Sequence, residues 1–343
     1  MFVGYLLFPY SEHRNTGSGR AVEVDVPLGA GPSTVAHLLA DRGLVDNPMF
    51  FEVWLRMEGY PSRLHAGKHL LADDMSTREL AEILCRPGGG PAVWVTLPEG
   101  STMFDAARIL EENGVTDYMN FLAVCRSRTL LKEMDIPGGS AEGFLFPDTY
   151  QFVPGTPPQA ILQRLVRTFH GRFAPLEGKH QEQVQRLKAE YGNAERAVVT
   201  MASLIEKEAS EPRERGLVAQ VFFNRLRDPS FPSRLIQSDP TVAYGCLVDE
   251  QKLPPSCRNW NGKLTRLQLE DFLNPYNTYR RPGLPPGPIC SPGAASLEAA
   301  LNPTPGSYYY FVARNDGTHV FSKTLPEHNR AVAQWQRGAE DQR

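Results

Sequence analysis

The sequence predicts an α+β protein with two parts, a small module of strands and helices followed by a larger mixed α+β domain with long loops. Its length of 343 residues exceeds the usual size of a single domain. A strand, a turn and an amphipathic helix occur twice in the first third of the chain, and helices alternate with proline-rich loops in the rest. These observations favour two folded parts, each with its own core.

Composition limits the class of protein. Hydrophobic residues make up 41% of the chain and the formal net charge is -3, as in an ordinary folded protein. So small a charge argues against nucleic acid as a partner. The 29 glycines and 29 prolines indicate many sharp turns without reaching the low-complexity range.

Residues 1–20 form an apolar stub, Met1–Tyr10, followed by a polar linker, Ser11–Arg20. A membrane-spanning helix needs about 20 apolar residues, so this stub cannot cross a bilayer by itself. Two interpretations stay open: a free terminus that packs on the surface, or the outer end of a membrane anchor.

Residues 21–90 are predicted to form the small module. The strand, turn and helix of Val24–Gly43 return in Val93–Gly114. Between the two copies, hydrophobic spacing and capping residues predict, in order, a helix, a returning strand and a further helix, at Asn47–Gly59, Leu64–Leu71 and Ser76–Leu84. The order of strand, helix, helix and strand resembles a LysM-like carbohydrate-binding module.

The glycine-rich run 86–91 breaks the pattern and predicts a boundary, so residues 91–343 are assigned to the larger domain. Helices are predicted throughout that domain, near Tyr118–Met134 and at Pro158–Phe173, Gln181–Tyr191, Ala194–Ala209 and Arg213–Arg227. Most of the prolines lie in the long loops between and after these helices. Such loops on a helical scaffold are where binding sites usually lie.

Glu208 is the strongest candidate for a catalytic group. On a helical wheel of about 100° per residue it continues the apolar stripe of the helix, formed by Val198, Met201, Leu204 and Ile205. The same wheel points Glu206 and Lys207 away, so only Glu208 is expected to face the interior. Partial burial would raise its pKa toward the range of a general acid. A solvated glutamate at the end of a helix is the alternative.

Polar and aromatic groups in the loops form a candidate sugar-binding surface, because aromatic faces stack on sugar rings and amides and hydroxyls bind ring hydroxyls. The groups are Gln237, Ser238, Asp239, Tyr276 and Asn277. Part of this set has a simpler explanation as turns, with Asp239 capping a helix before Pro240. The segment Tyr308–Val312 is expected to be a core strand.

Other chemistries lack support. Two histidines, His65 and His69, are expected on the surface, and His319 and His328 are expected to be structural, so no metal site is predicted. Phosphate-binding and dinucleotide motifs and the serine nucleophile motif are missing, and no cofactor is expected.

The five cysteines show no zinc-like pairing. Cys246 and Cys257 bracket an exposed loop, which fits either a disulfide or two buried thiols.

Several sequence strings resemble the YceG-like (MltG) family of endolytic murein transglycosylases over about Val22 to the C-terminus. The order and spacing of the strings also fit. They are Glu142–Tyr150, Thr200–Glu208, Val221–Leu226, Gln237–Thr241, Asn261–Leu264, Tyr276–Tyr279, Gly283–Gly287, Gly317–Phe321 and His328–Asn329.

The resemblance implies an enzyme that cuts the MurNAc-GlcNAc bond of nascent peptidoglycan strands without water. It would leave 1,6-anhydro-MurNAc ends and act as a terminase of glycan elongation. The family's catalytic glutamate maps to Glu208. Residues expected to orient the strand are Glu142, Asp148, Gln237, Ser238, Asp239, Tyr276 and Asn277.

The resemblance further implies a single-pass anchor in the inner membrane, a periplasmic catalytic domain, and peptidoglycan synthases as partner proteins. It also favours the disulfide and the anchor interpretation of the N-terminal stub, although the usual membrane helix is nearly absent from this chain.

Three alternatives for the function stay open. A hydrolytic muramidase would need a second carboxylate, for which Asp239 or Glu142 is available. A noncatalytic peptidoglycan-binding protein would need none. A pyridoxal-phosphate lyase would need a lysine in the site, and Lys207 is expected to point away from it.

Overall fold

A computed structural model describes residues 10, 13, 17–85, 92–231, 234–248, 253–314 and 316–336. Contacts divide the chain into two compact units. The first contains the chain up to Leu97 with Phe104–Val124 and Asp148–Arg164, and the second contains Pro98–Met103, Cys125–Pro147 and the chain from Leu165 onward. The domain boundaries at 20/21 and 90/91 stay predictions.

Most of the predicted anchor remnant, residues 1–20, lies outside the described residues. In the described part of the chain, no helix is both long enough and apolar enough to span a membrane.

The first unit begins with the predicted strand, helix, helix and strand. Its elements are β1 (Ala21–Val26), α1 (Pro32–Asp41), α2 (Pro48–Met57), a 3-10 turn (Pro61–Arg63), β2 (Gly67–Ala72) and α3 (Thr77–Leu84). Strands β1 and β2 pair antiparallel, with Val24 opposite His69. The α+β class and the order of the elements are therefore confirmed.

Local sequence explains these elements. Asn47 caps α2 by accepting from the N–H groups of Met49 and Phe50, and Ser76 forms a capping box with Glu79 at α3. The helices and the sheet enclose a core that includes Val24, Leu39, Phe51, Trp54, Leu71 and Leu84. Each such side chain contributes about 1.5–3 kcal/mol when fully buried.

One expectation for this unit is wrong. His69 was expected on the surface, but β2 turns it into the core, where its Nε2 lies 2.8 Å from the carbonyl of His65. The alternation of inward and outward side chains along a strand decides this, and the expected strand started earlier than β2 does.

The chain continues through β3 (Val93–Thr96), α4 (Met103–Glu112), α5 (Tyr118–Cys125), α6 (Arg128–Glu133) and β4 (Thr149–Phe152). Strand β3 pairs antiparallel with β4, within the first unit. The predicted helix near Tyr118–Met134 is two helices, because the Ser127 side chain caps a new helix start by accepting from the N–H of Leu130.

Most of the remaining elements belong to the second unit, which carries the candidate site. They are α7 (Pro158–Lys179), α8 (Gln181–Tyr191), α9 (Ala194–Glu208), a 3-10 turn (Pro212–Glu214), α10 (Arg215–Arg227), α11 (Asp239–Gly245), a 3-10 turn (Pro255–Cys257), α12 (Arg266–Glu270), α13 (Ala294–Leu301), β5 (Tyr310–Ala313), β6 (His319–Ser322) and α14 (Leu325–Trp335). Strands β5 and β6 pair antiparallel.

Helix α9 is the central element of this unit. It contacts α8, α10, α11 and α13. Every residue from Ala197 to Ile205 is buried, so the helix is enclosed on all sides rather than along one stripe. Its end is therefore held rigidly by its neighbours.

The disulfide between Cys246 and Cys257 is present, with a Cα–Cα distance of 5.2 Å. It joins the C-terminal end of α11 to the 3-10 turn at Pro255–Cys257 and closes the loop expected from the sequence. Because α11 begins at Asp239, the disulfide secures the helix that brings Ser238 and Asp239 to the candidate site.

Candidate active site

Glu208 is the last residue of α9, and its side chain lines an open cavity of about 460 Å³. The helix starts at Asn193, whose side chain accepts from the N–H of Arg196. It ends where Ala209 turns into extended backbone. The carboxyl group therefore projects from the end of a buried, rigid helix into the cavity.

The side chain of Ser238 holds the Glu208 carboxyl. Its Oγ donates to Oε1 of Glu208 at 2.6 Å. Ser238 is itself fixed, because its N–H donates to Oγ1 of Thr278 at 3.0 Å and the N–H of Gln237 donates to the Thr278 carbonyl at 3.2 Å. Gln237 adopts a φ of 59°, a strained left-handed conformation for a residue other than glycine. This turn presents the serine hydroxyl to the acid.

The surroundings of Glu208 raise its pKa. Burial is the largest cause, because a low-dielectric environment disfavours the charged carboxylate. The Ser238 hydroxyl opposes this shift by stabilising the charged form of the carboxyl. The negative charge of Asp239 adds to the shift, and the electrostatic influence of the neighbouring Arg225 and His319 side chains opposes it. The net rise keeps a larger fraction of the carboxyl protonated near neutral pH, as a general acid requires.

The cavity wall comes from β5, β6, α14 and the loops beside α11. Its polar and aromatic residues are Arg225, Gln237, Asp239, Tyr279, Tyr310, Phe311, His319, His328 and Gln336. Tyr279 donates its hydroxyl to Asp239 at 2.6 Å, which fixes a second carboxyl in the same cavity. Such a wall offers both hydrogen-bonding groups and ring faces to a sugar.

Arg225 supports this wall from within. Its Nε donates to the carbonyl of Tyr309 at 2.7 Å and its Nη1 donates to the carbonyl of Ile236. Burial lowers the pKa of Arg225 to about 10, which leaves it charged at neutral pH. The guanidinium also lies over the ring of Tyr310, which stacks on His328 at 5.2 Å.

Four predicted site residues come together here: Glu208, Gln237, Ser238 and Asp239 all contribute to one site. Asp239 is the first residue of α11 and Ser238 precedes it as the N-cap residue, so the expected capping role of Asp239 is wrong.

Two other predicted residues support the loops instead. Glu142 is buried and accepts from the N–H of Met103 and from the hydroxyl of Tyr244, at 3.1 and 2.9 Å. Asn277 is fully buried and donates to the carbonyls of Gln268, Leu269 and Asp271. The polar atoms of both residues are used within the protein, and their role in orienting the strand stays a prediction.

Tyr276 and Asp148 do not line the cavity either. The ring of Tyr276 packs edge-on against Tyr244 at 4.9 Å. Asp148 belongs to the first unit, where its Oδ1 accepts from the N–H of Thr149 at 2.8 Å. Their contact with substrate stays a prediction.

Sequence reasoning missed several cavity residues. The sequence predicts a core strand at Tyr310 and structural roles for His319 and His328, yet all three line the cavity with Glu208. The corrections share one cause: these residues are distant from Glu208 along the chain, and only the packing of β5, β6 and α14 brings them close. The strings Gly317–Phe321 and His328–Asn329 were the available signal.

The expectation for Glu206 also needs correction, because its side chain is only 5% exposed. Its carboxyl pairs with Arg215 at 3.1 Å and accepts from the N–H of Gly293 at 2.9 Å. The wheel pointed it to solvent, but α9 has neighbours on all sides. Lys207 is exposed and donates to the carbonyl of Gly100 at 3.3 Å.

Fold and site together define an α+β protein with one candidate general acid at the edge of an open polar cavity. The model of the YceG-like family matches residues 24–334. The chain belongs to the YceG-like family.

Relatives agree with this assignment. The chain is 28% identical over 328 residues to a protein named endolytic murein transglycosylase from Bacillus subtilis, covering 92% of this chain and 84% of the relative. It is 26% identical to a protein of the same name from Streptococcus pneumoniae, covering 93% of this chain and 59% of that relative. The crystal structure of a YceG-like protein from Listeria monocytogenes is 29% identical, with a TM-score of 0.56 over 91% of this chain and 99% of that one.

Proposed function

We propose that this protein is an endolytic peptidoglycan lytic transglycosylase with Glu208 as its acid and base. The single observation that carries the proposal is the Glu208 carboxyl, whose pKa is raised by burial and which faces a cavity lined by hydrogen-bonding and aromatic groups. Relatives that cover nearly the whole chain bear the name of this activity.

The reaction needs one group that first gives and then takes a proton. The protonated Glu208 donates its proton to the glycosidic oxygen between MurNAc and GlcNAc, and the C1–O bond breaks as the leaving hydroxyl forms. The resulting carboxylate removes the proton from the MurNAc 6-hydroxyl, whose oxygen bonds to C1 and closes the 1,6-anhydro ring. Glu208 ends the cycle protonated, and no water is consumed.

Ser238 suits both halves of this cycle. Its hydroxyl accepts or donates by rotation, so its hydrogen bond to Glu208 adapts to the neutral and the charged carboxyl. Gln237, exposed on the same turn, offers an amide to sugar hydroxyls.

A hydrolytic muramidase is the second candidate, because Asp239 lines the same cavity as Glu208. In that reaction Asp239 would activate a water molecule while Glu208 protonates the leaving oxygen. The Tyr279 hydroxyl, which donates to Asp239, would hold that carboxylate in place.

The mass of the products separates the two candidates. We expect purified protein to cut long, uncrosslinked glycan internally and to leave 1,6-anhydro-MurNAc ends, which are lighter by one water than hydrolytic ends. The matched control is Glu208→Gln, which keeps shape and hydrogen-bonding reach but has no transferable proton. Reducing ends from the wild type would establish a hydrolase. A glycan that is bound but not cut would indicate a noncatalytic binding protein.

We further propose that the enzyme acts outside the cytoplasm as a glycan terminase, held at the inner membrane by an N-terminal anchor with its catalytic part in the periplasm. The proposal draws on the substrate class and on the apolar stub that leads into a polar linker. Fractionation of cells that express the native gene should place the product with the membrane, accessible to protease only after the periplasm is opened. Crosslinking in the same cells should recover peptidoglycan synthases, and a soluble cytoplasmic product would contradict the proposal.

A further inference from the structure

The cavity that holds the candidate acid is also lined by the imidazole of His319. His319 begins strand β6 and lines the same cavity as Glu208 and Asp239. Its side chain is only 10% exposed, so the protein rather than solvent decides how the ring is oriented.

Glu214 holds His319 at two points. Nδ1 of the ring lies 2.7 Å from Oε2 of Glu214, and the main-chain N–H of His319 donates to Oε1 at 3.1 Å. Glu214 ends the 3-10 turn that follows α9, so the segment leaving Glu208 also carries the carboxylate that fixes the imidazole. Acid and ring are thus tied to one short stretch of backbone.

Aromatic rings confine the imidazole further. Phe311 meets it edge-on, with the ring centroids 5.4 Å apart and an interplanar angle of 87°. Phe321 lies 6.3 Å away at 60°. A ring fixed by a carboxylate and by two neighbouring rings has little freedom to rotate, which is the condition for a preorganised binding group.

The bond to Glu214 decides what the other nitrogen does. A carboxylate only accepts hydrogen bonds, so Nδ1 carries the hydrogen and, in the neutral ring, Nε2 is an acceptor. Nε2 makes no hydrogen bond to any residue that the structure describes. The cavity wall therefore has a free acceptor, Nε2 of His319, beside the carboxyl groups of Glu208 and Asp239. Such a wall favours a ligand that donates neutral hydrogen bonds over an anionic ligand.

We propose that His319 is a substrate-positioning residue, whose Nε2 accepts a hydrogen bond from a sugar hydroxyl and holds the glycosidic bond at Glu208. The proposal rests on the glycan-cleaving function proposed above. Glu214 acts through His319 by fixing the tautomer, and it does not touch the glycan.

Two substitutions of His319 separate binding from structure. Asn places its amide near the position of Nδ1, where it still donates to Glu214 but does not reach the cavity. Gln extends its amide toward the position of Nε2 and offers an acceptor there. We expect His319→Asn to lower kcat/KM roughly 10- to 100-fold, the usual consequence of leaving a bound hydroxyl unpaired, and His319→Gln to recover much of that loss.

His180 supplies the matched control. Its Nε2 lies 2.8 Å from Glu298, its side chain is 14% exposed, and it belongs to the same unit but not to the cavity wall. We expect His180→Asn to leave kcat/KM within about twofold of wild type, because it removes a comparable pair away from the glycan. Thermal melts of all variants identify losses caused by unfolding.

Binding is measured apart from turnover. In a Glu208→Gln background, calorimetry with uncrosslinked glycan should show a roughly tenfold weaker Kd when His319→Asn is added. If wild-type protein leaves no 1,6-anhydro ends, the proposed function fails, while this affinity comparison still decides the role of His319. If His319→Asn does not fold, Glu214→Gln takes its place: the new amide faces Nδ1, makes Nε2 a donor, and should weaken binding similarly.

Unchanged kcat/KM and affinity in a folded His319→Asn variant would overturn the proposal. Equal losses in the Asn and Gln variants, matched by equal falls in melting temperature, would also overturn it, because they would show a structural role alone.

Discussion

Glu206 and Glu208 belong to the same turn of helix α9, yet their carboxyl groups meet opposite surroundings. Glu206 is enclosed by partners, a guanidinium from Arg215 and a main-chain N–H from Gly293. Glu208 receives one hydroxyl, from Ser238, and otherwise faces a cavity. A buried carboxyl group with a charged partner stabilises the fold. A buried carboxyl group without such a partner has a raised pKa and keeps a proton that it can transfer.

The largest expected effect is the difference in activity between Glu208→Gln and Glu206→Gln. We expect the first to lower kcat/KM by about 10²–10⁴ or more, because the transferable proton is lost while the shape stays. Glu206→Gln should be much milder, because its amide oxygen still accepts from Gly293. Rates of 1,6-anhydro product formation measure both, and equal losses would show that the proton is not supplied by Glu208 alone.

For the free energy of unfolding we expect the opposite order, with a larger loss from replacing Glu206 than from replacing Glu208. Among the described residues, Glu206→Ala leaves the half-exposed Glu99 as the acidic partner of the buried Arg215 guanidinium, and we expect a loss of roughly 3 kcal/mol in the free energy of unfolding. Urea denaturation monitored by circular dichroism measures this loss, with Glu182→Ala at an exposed position of α8 as the control. A loss below about 1 kcal/mol would show that the pair of Glu206 and Arg215 contributes no more than an ordinary surface ion pair.

Ser238→Ala sharpens the comparison by removing the hydrogen bond that the Ser238 hydroxyl donates to Glu208. That bond lowers the pKa of Glu208, so its loss should raise the pKa further. Since the acid form is the active one, the alkaline limb of the pH–rate profile should move to higher pH, while the maximal rate falls through lost orientation. An alkaline limb that stays in place would show that Ser238 does not tune the acid.

The smallest expected effect is a difference between wild-type protein and Glu208→Gln in how thermal stability depends on pH. The folded-state pKa of Glu208 is raised, so wild-type protein keeps its full stability below the ordinary glutamate pKa of 4.5 and loses some as pH rises through the folded value. The variant has no such loss. We expect equal melting temperatures near pH 4 and a slightly higher one for Glu208→Gln at pH 7 to 8. A lower one at pH 7 to 8 would mean that Glu208 is held as a carboxylate.

Much of the fold was predictable from local patterns. Capping residues such as Ser76 and the alternation Val24, Asp25, Val26 indicate where elements begin and which side is buried. The predicted ends of α9 and α8 match the structure closely, because helical periodicity and caps act within a few residues. The break between α5 and α6 escaped prediction, since Ser127 can equally lie within a helix.

The site was predictable only in part. Glu208, Gln237, Ser238 and Asp239 lie in strings that carry the family resemblance, and the structure gathers them. Glu142 and Asn277 come from the same strings but support the loops, because a string records which residues matter and not which atoms face the cavity.

By itself the sequence determined the class of fold, the family and the position of Glu208 at the end of an apolar helix, whereas the disulfide between Cys246 and Cys257 became definite only in the structure. Only the tertiary structure decided that Glu206 would also be buried, paired with the guanidinium of Arg215. It also decided that His319, fixed by Glu214, would share the cavity of Glu208. The physical reason is that a side chain's charge state depends on neighbours within a few ångströms, and those neighbours come from strands and helices distant along the chain.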